Sequence, residues 1–163
     1  METMIRKLRI DDTLELANNI ATVWNSTYKG IVNDDFLSGL YESVPYSSEK
    51  LKEKVNANEE YYCLICDNKI IGWVYFTLDT NNYENTAEVH SLYVMDPYQG
   101  KGYGKKLLDF AFAVIKNRDI NKVLIGCLDG NKSNEFYQHI GGHYIASRLF
   151  RDEYLENLYM FDL

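Results

Sequence analysis

The segment from residue 100 to residue 104 has glycine at every second position. The residues before it have the pattern of a β-strand, and the residues after it have the periodicity of a helix. Gly100, Gly102 and Gly104 follow a β-branched and aromatic run that ends at Met95. After Gly104, apolar residues recur at helical spacing as far as Ile115. A strand that leads through a glycine-rich loop into a helix favours phosphate binding, because the first N–H groups of a helix are unpaired and partly positive.

Spacing excludes the two better-known phosphate loops. A dinucleotide fingerprint G-x-G-x-x-G starting at Gly100 requires glycine where Lys105 stands. A P-loop requires glycine where Gln99 stands and serine or threonine where Lys106 stands. Alternating glycines still let the backbone approach a pyrophosphate, and Lys101 and Lys105 add positive charge. The alternative is a turn without a ligand, although one glycine is enough for a turn.

The rest of the chain alternates between strand-like and helix-like periods, which predicts a single α/β (α+β) domain over residues 1–163. Strands are predicted at residues 5–10, 61–66, 70–78, 87–95, 123–128, 143–150 and 155–161. Helices are predicted from a cap at 11–13 to 28, at 34–40, at 49–56, from 104 to 115, and at 134–140. The order indicates a mixed, mostly antiparallel sheet of about seven strands with helices on both faces.

Charge and hydropathy narrow the class of protein. The net charge of −7 argues against general nucleic-acid binding, because phosphates are repelled at long range. No apolar run approaches the ~20 residues of a membrane span. The first eight residues lack the apolar region of a signal peptide. We therefore expect a cytoplasmic protein with no nucleic-acid partner and no membrane partner.

The three cysteines are expected to be ordinary core residues. Cys63 and Cys66 have the spacing of a redox or zinc pair, but residues three apart on a strand point to opposite faces. Zinc requires four ligands, and the histidines are scattered along the chain. With Cys127 the count is odd, which suits a reducing compartment. No metal is expected.

Residues 92–108 closely resemble the acyl-coenzyme A motif of the GNAT superfamily of N-acetyltransferases. That motif is a hydrophobic strand, a proline-containing turn, and Gln/Arg-x-x-Gly-x-Gly at the start of a helix. Its defining positions are met by Gln99, Gly102 and Gly104. The resemblance implies acetyl-CoA as co-substrate, no metal, and a fold in which the fourth and fifth strands, residues 87–95 and 123–128, splay apart.

The resemblance also implies which residues hold the donor. Backbone groups of residues 92–94 pair with the pantetheine arm, and amides of residues 99–104 hold the pyrophosphate, with Lys105 nearby. Relatives place asparagine where Gly130 stands, so that Asn131 or Asn134 is the candidate for that contact. The full set of expected cofactor-binding residues is Leu92, Tyr93, Val94, Gln99, Gly100, Lys101, Gly102, Tyr103, Gly104, Lys105, Asn131 and Asn134.

Acetyl transfer to an amine requires a base, because an alkyl amine of pKa ~10.4 is almost entirely cationic at neutral pH. Glu88 lies on the strand before the cofactor segment, where many relatives place a glutamate, and His90 shares its face. These two residues are the candidate bases. Residues 136–142 resemble the second motif of the family, which makes Tyr137 the candidate acid that protonates the departing thiolate.

Residues 24–31 resemble a branch of the superfamily that includes polyamine acetyltransferases. Trp24 and Tyr28 are four residues apart on one predicted helix face and can line an aromatic slot for a cationic amine. A role in the core is the alternative. The expected acceptor is a small amine or polyamine, and second a protein N-terminal or lysine amine. A non-catalytic acyl-CoA sensor and a plain structural domain are the rival classes. A homodimer is expected from fold analogy.

Overall fold

The computed structural model describes all residues from 1 to 163. The strands are β1 Met4–Lys7, β2 Glu60–Cys66, β3 Lys69–Thr77, β4 Thr86–Val94, β5 Lys122–Leu128, β6 His143–Phe150 and β7 Tyr154–Asp162. The α-helices are α1 Thr13–Thr27, α2 Asp34–Glu42, α3 Val44–Asn56, α4 Tyr103–Lys116 and α5 Ser133–His139. None of these helices has the length and apolar character needed to cross a bilayer.

All seven strands belong to one sheet, in the order β1-β2-β3-β4-β5-β7-β6. The pairs β1–β2, β5–β7 and β6–β7 are antiparallel, and β4–β5 is parallel. The parallel register runs from the pair Thr86 and Lys122 to the pair Val89 and Ile125, while β4 itself continues to Val94. The predicted mixed sheet of seven strands is thereby confirmed.

Most predicted elements are found within two residues of their expected ends, and two differ by more. The helix expected at 49–56 begins at Val44, because Pro45 fits the first turn, where its missing N–H has no intrahelical partner. The strand expected at 5–10 ends at Lys7, and residues 10–12 form a short 3-10 helix. In that helix Asp12 accepts hydrogen bonds from Arg9 N and from the Arg6 guanidinium.

The chain divides into two compact units. The first contains residues Met1–Tyr75 and Ser91–Asp109. Its core joins the apolar stripe of α1 to β2 and β3, and includes Leu16, Ala21, Cys63 and Trp73. Burial raises the pKa of the Cys63 thiol to about 12, which leaves it protonated and unreactive at neutral pH. All three cysteines are buried and free, which confirms the expectation of ordinary core residues.

The second unit contains residues Phe76–His90 and Phe110–Leu163. Its centre is aromatic: the ring of Phe161 lies 5.2 Å from Phe112 and 6.5 Å from Tyr137, measured between centroids. The end of α5 approaches β7 closely at Gly142, where a Cβ would lie 2.7 Å from both a Phe161 ring carbon and the Tyr137 carbonyl oxygen. Glycine at 142 therefore allows the packing that holds Tyr137 in place.

Replacing Gly72 on β3 by alanine is expected to destabilise the fold. Its Cβ would lie 3.0 Å from the Tyr93 carbonyl oxygen and 3.1 Å from a methyl of Leu107. Overpacking of this kind costs about 1–3 kcal/mol in the free energy of unfolding, to be measured by urea denaturation. The matched control is Gly39→Ala in α2, where a Cβ meets nothing within 4 Å. Because alanine favours helix, the control should gain up to about 1 kcal/mol; equal stability of both variants would contradict the prediction.

Candidate functional site

The glycine-rich loop of the first unit turns β4 into α4. Gly100 and Gly102 have φ of +74° and +84°, the left-handed region that glycine adopts without strain. A Cβ built on Gly100, Gly102 or Gly104 meets no atom within 4 Å, so that all three glycines border open space. Helix α4 begins at Tyr103, and Lys106 N donates the first helical bond, to Gly102 O. The preceding N–H groups have no intrahelical acceptor, as anion-binding helix ends require.

The side chain of Gln99 fixes this loop from within. Its Nε2 donates to Val94 O at 2.9 Å and to Asp96 Oδ1 at 3.1 Å. The same Asp96 oxygen accepts from the hydroxyl of Ser26 in α1 at 3.1 Å. Ser26 and Asp96 were not singled out from the sequence, since only the fold brings residues 70 positions apart together. The Gln99 side chain thus shapes the loop, and the Gln99 backbone N–H is used there as well, since it donates to Asp96 O at 3.2 Å. Of the predicted phosphate-binding amides at 99–104, that of Gln99 is therefore already bonded within the protein.

Two lysines of the loop carry its positive charge. Lys105 Nζ lies 2.7 Å from Asp109 Oδ2 one helical turn further on, and both side chains are 60% exposed. An exposed pair of this kind contributes at most about 1 kcal/mol, so that an anionic ligand can compete for Lys105. Lys101 Nζ lies 5.9 Å from the centroid of the Tyr98 ring.

The predicted pantetheine segment, residues 92–94, forms the end of β4 and is half-buried. Tyr93 points its ring into an aromatic cluster, with centroids 6.4 Å from Trp24 and 5.7 Å from Trp73. Its hydroxyl lies 2.8 Å from the hydroxyl of Tyr28. Leu92 is also half-buried, on the same stretch of strand.

The predicted acceptor residues Trp24 and Tyr28 belong to that aromatic cluster. Their ring centroids are 4.4 Å apart, and the Phe36 ring lies 6.1 Å from Trp24. Tyr28 is only 5% exposed, whereas Trp24 is half-buried. Trp24 is therefore the member of the pair whose surface a ligand can reach, and Tyr28 supports it from the core.

In the second unit Glu88 is a buried carboxylate, 5% exposed, with several partners. Its Oε1 accepts from the Thr80 hydroxyl at 2.8 Å, and its Oε2 accepts from Arg148 Nη2 at 2.9 Å. Burial by itself raises the pKa of the Glu88 carboxyl. The hydrogen bonds from Arg148 and Thr80 outweigh burial, so that the pKa lies below its ordinary value. Glu88 is therefore held as an anion and is a weak base.

His90 lies beside Glu88 on β4. Its Nδ1 is 3.3 Å from Glu88 Oε2, and its Nε2 is 2.8 Å from Thr77 Oγ1. The hydroxyl of Thr77 also donates to Asp79 O at 3.0 Å. The structure thus brings the two candidate bases together and adds a threonine that the sequence had not indicated.

A cavity of about 340 Å³ lies beside these groups in the second unit. Its charged lining includes Glu88, Arg148 and Glu156, with Arg151 from the β6–β7 turn. The Arg148 guanidinium bridges the two carboxylates, with Nε 2.5 Å from Glu156 Oε1. Glu156 lies across β5 at Gly126, where a Cβ would be 2.5 Å from its carboxylate oxygen. A cavity of this size suits a small polar molecule.

Tyr137, the candidate acid, lies in α5 and is 6% exposed. Its ring centroid is 5.4 Å from that of Phe136 and 6.1 Å from that of Tyr159. The backbone N–H of Gly142 donates to the Tyr137 carbonyl at 2.8 Å and closes the end of the helix. The ring is therefore fixed by packing on several sides.

The two candidate asparagines differ in how many of their side-chain donors and acceptors are already hydrogen-bonded within the protein. Asn134 uses both amide protons, on Leu128 O and Asn131 O, and its Oδ1 accepts from Asn157 Nδ2 and the Tyr159 hydroxyl. The side chain of Asn131 makes one hydrogen bond, in which its Oδ1 accepts from Ser133 N. Its amide nitrogen has no partner in the protein, so that Asn131 is the better placed of the two to contact a ligand.

Comparison with known proteins supplies the family. The model of the acetyltransferase (GNAT) family matches residues 25–141, well over half of the chain. The chain belongs to the GNAT family of acetyltransferases. The family expected from the glycine-rich segment is thereby confirmed, and the enzyme class with it.

Relatives of this GNAT protein include a spermidine N(1)-acetyltransferase from Thermoplasma acidophilum. It is 29% identical over 125 residues, which cover 74% of each chain. Among solved structures, the PaiA N-acetyltransferase of Thermoplasma acidophilum in complex with coenzyme A has a TM-score of 0.85 at 24% identity, covering 100% of both chains. An N-acetyltransferase from Staphylococcus aureus Mu50 has a TM-score of 0.72 at 18% identity, covering 99% of each. These likenesses confirm the fold.

Replacing Arg148 by methionine is expected to raise the pKa of Glu88 above its ordinary value, since burial then acts with little compensation. In the native protein the lowered pKa adds stability at neutral pH that is lost as the pH falls through the folded pKa. In Arg148→Met the pKa of Glu88 is higher in the folded state than in the unfolded state, so the folded protein binds the additional proton. The free energy of unfolding should therefore rise as the pH falls from about 7 to about 5.

Carbon-13 NMR titration of the Glu88 carboxyl, with urea unfolding at each pH, checks this expectation. The control is Lys122→Met, which removes one exposed positive charge at the start of β5. An unchanged titration of Glu88 in Arg148→Met would show that the ion pair does not hold the carboxylate ionised.

Proposed function

We propose that this GNAT protein transfers an acetyl group from acetyl-CoA to a primary amine, and that its acceptor is a small amine of the polyamine class. The observation that carries the proposal is the loop at residues 99–104. Gly100 and Gly102 are left-handed, their Cα atoms border open space, and the loop delivers the unpaired N–H groups of α4. This cradle fits a pyrophosphate.

The donor-binding residues follow from that cradle. Backbone N–H groups of residues 100–104 hold the pyrophosphate of acetyl-CoA, and Lys101 and Lys105 balance its charge. Residues 92–94 offer strand backbone to the pantetheine arm. Asn131 offers its unpartnered amide. The coenzyme A complex of the similar PaiA enzyme supports this assignment.

Acetyl-CoA supplies an activated acyl group, and the chain supplies the proton transfers. Glu88 and His90 form the acid–base group that takes the ammonium proton, without which the amine nitrogen has no lone pair for attack. As the new N–C bond forms and the C–S bond breaks, the phenol of Tyr137 gives its proton to the leaving thiolate. The attack is direct, because Cys127 is buried with a pKa raised to about 12 and is no nucleophile.

Several features support a small cationic acceptor. The similar Thermoplasma protein is a spermidine acetyltransferase. The cavity of about 340 Å³ contains two carboxylates, Glu88 and Glu156, which attract ammonium groups. The exposed part of Trp24, supported by Tyr28, offers an aromatic face to a cation.

We also propose that the protein acts as a cytoplasmic homodimer. Strand β6 is the last in the sheet order and carries exposed Tyr144, Ile145 and Leu149. An unpaired strand edge with apolar side chains is a surface that proteins cover. Three free cysteines suit a reducing compartment. Light scattering after size-exclusion chromatography gives the mass, and a monomer would count against the dimer.

The test of function is release of free thiol from acetyl-CoA with a panel of polyamines, aminoglycosides, amino acids and peptides. Turnover that is fastest with polyamines is the expected result. Fastest turnover with peptides would indicate a protein acetyltransferase. Binding of acetyl-CoA with no turnover on any amine would indicate a sensor, and no binding would indicate a structural domain.

Gly102→Ala is expected to weaken coenzyme A binding by tenfold or more. Alanine is strained at φ +84°, and its methyl projects into the open space where the pyrophosphate is expected. The matched control is Gly30→Ala, at φ +83° with no atom within 4 Å of its Cβ. The two variants share the backbone strain, and only Gly102→Ala adds a group to the loop.

Isothermal titration calorimetry with coenzyme A separates the two effects. Equal loss of affinity in both variants would mean that strain alone is responsible, and the pyrophosphate assignment would then be wrong. Thermal unfolding of both variants shows whether their stabilities are matched.

Tyr137→Phe is expected to lower kcat by roughly 10²-fold or more, because the leaving thiolate loses its proton donor. The Michaelis constant for acetyl-CoA should change little, since the ring and its packing are kept. The control is Tyr144→Phe on β6, which removes a hydroxyl that is exposed and bonded to Ser147. The two variants are compared by steady-state kinetics with the best amine. Unchanged kcat in Tyr137→Phe would remove Tyr137 as the acid.

A further inference from the structure

Each ring nitrogen of His90 lies close to a polar side chain. The two side chains differ, because one can only accept a hydrogen bond and the other can donate or accept one. Nδ1 faces Glu88 Oε2 at 3.3 Å, and an ionised carboxylate can only accept a hydrogen bond. Nε2 faces Thr77 Oγ1 at 2.8 Å, and a hydroxyl can donate or accept. The neighbouring carboxylate favours a proton on Nδ1, whereas Nε2 can either accept a hydrogen bond from Thr77 or donate one to it.

The hydroxyl of Thr77 has one proton and two neighbours that can accept it. One is His90 Nε2, and the other is Asp79 O at 3.0 Å. When His90 is neutral, the hydroxyl donates to Nε2. When His90 is an imidazolium, Nε2–H donates to Thr77 Oγ1 and the hydroxyl proton turns to Asp79 O. Both protonation states are satisfied by rotation of one hydroxyl, with every heavy atom in place.

We infer that the proton of the acceptor amine is relayed by the Thr77 hydroxyl to His90 Nε2, and that Glu88 is the positioning residue for this ring. The inference rests on the proposed function for its substrate, and it assigns different roles to the two candidate bases. The amine gives its proton, directly or through a water, to Thr77 Oγ1, and the Thr77 hydroxyl passes its own proton to Nε2 along the 2.8 Å contact. The proton that Thr77 has received then points to Asp79 O, and Nδ1–H stays directed at Glu88. One proton leaves the amine, one N–H bond forms on His90, and the charge moves from ammonium to imidazolium.

Charged groups around the ring support this division of roles. Glu88 shares β4 with His90, Arg148 reaches Glu88 from β6, and Glu156 holds Arg148 from β7. Arg151 lines the same cavity from the turn between those strands. Arg148 and Thr80 occupy Glu88 oxygens and lower the pKa of its carboxyl, so that Glu88 keeps its charge and stabilises the imidazolium. The His90 side chain is 37% exposed, against 7% for Glu88, and so it is the more accessible base.

The kinetic test uses the matched pair Thr77→Val and Thr77→Ser with the best amine of the panel. Valine removes the hydroxyl at nearly constant shape, and kcat/KM is expected to fall about tenfold because Nε2 loses the group that serves both of its states. Serine keeps the hydroxyl and should retain kcat/KM within about threefold. The Michaelis constant for acetyl-CoA should be unchanged in both variants. An equal loss in both would point to a packing role for Thr77 and would overturn its part in the inference.

Substitution of the two candidate bases separates their roles. His90→Gln should lower kcat/KM by roughly 10²-fold or more and abolish the acidic limb of its pH profile. His139→Gln and His143→Gln, at exposed histidines, should leave the limb in place. If His90→Gln keeps kcat/KM within about threefold while Glu88→Gln abolishes it, then Glu88 is the base and the inference is wrong.

Nitrogen-15 NMR of the histidine rings tests the inference without any substrate. His90 signals are assigned by their loss in His90→Gln. The expected neutral form carries its proton on Nδ1, and acidification should add the proton at Nε2 without unfolding. A neutral form protonated at Nε2 would overturn the inference even if the enzyme is active. If the native protein shows no turnover on any amine, the proposed function fails, and the NMR result alone decides whether His90 has the inferred proton-accepting atom.

Discussion

The proposed donor-binding loop of this protein depends on a left-handed backbone at Gly100 and Gly102. Those two residues turn the end of β4 so that α4 starts with its unpaired N–H groups facing open space. Side chains support the loop, since Gln99 Nε2 donates both to Val94 O and to Asp96 Oδ1. Residues with a Cβ would strain this path, and the loop would lose both its shape and its access to a phosphate.

A second constraint is electrostatic and belongs to the other unit. Glu88 is buried, and burial of an unpaired carboxylate is unfavourable. Arg148 offsets that cost and is itself held by Glu156, whose side chain lies across the glycine at 126. A network of this kind fixes the Glu88 carboxylate as an anion and orients His90. That arrangement is the basis of the two proposed roles: Glu88 stays ionised and hydrogen-bonded, and His90 is the more accessible base.

Elements with a strong period were predicted well from the sequence, and side-chain partners were not. The mixed seven-stranded sheet and the family are as expected. The start of α3 was missed because Pro45 also fits a loop, and Ser47 or Ser48 also fits the cap of a helix that begins at residue 49. Asn131 and Asn134 were equal candidates in the sequence. The fold distinguishes them, because Asn157 and Tyr159 donate hydrogen bonds to the side-chain oxygen of Asn134.

The sequence by itself determined the shape of the proposed donor-binding loop, because backbone conformation at glycine and helix initiation are local properties. It also determined the family, since residues 92–108 carry the whole motif in one segment. The tertiary structure decided the surroundings of the two candidate bases. Arg148, Thr77 and Thr80 reach Glu88 and His90 from other strands and loops, and no local pattern marks them. Proton affinity depends on burial and on the neighbouring charges, which only the folded chain assembles.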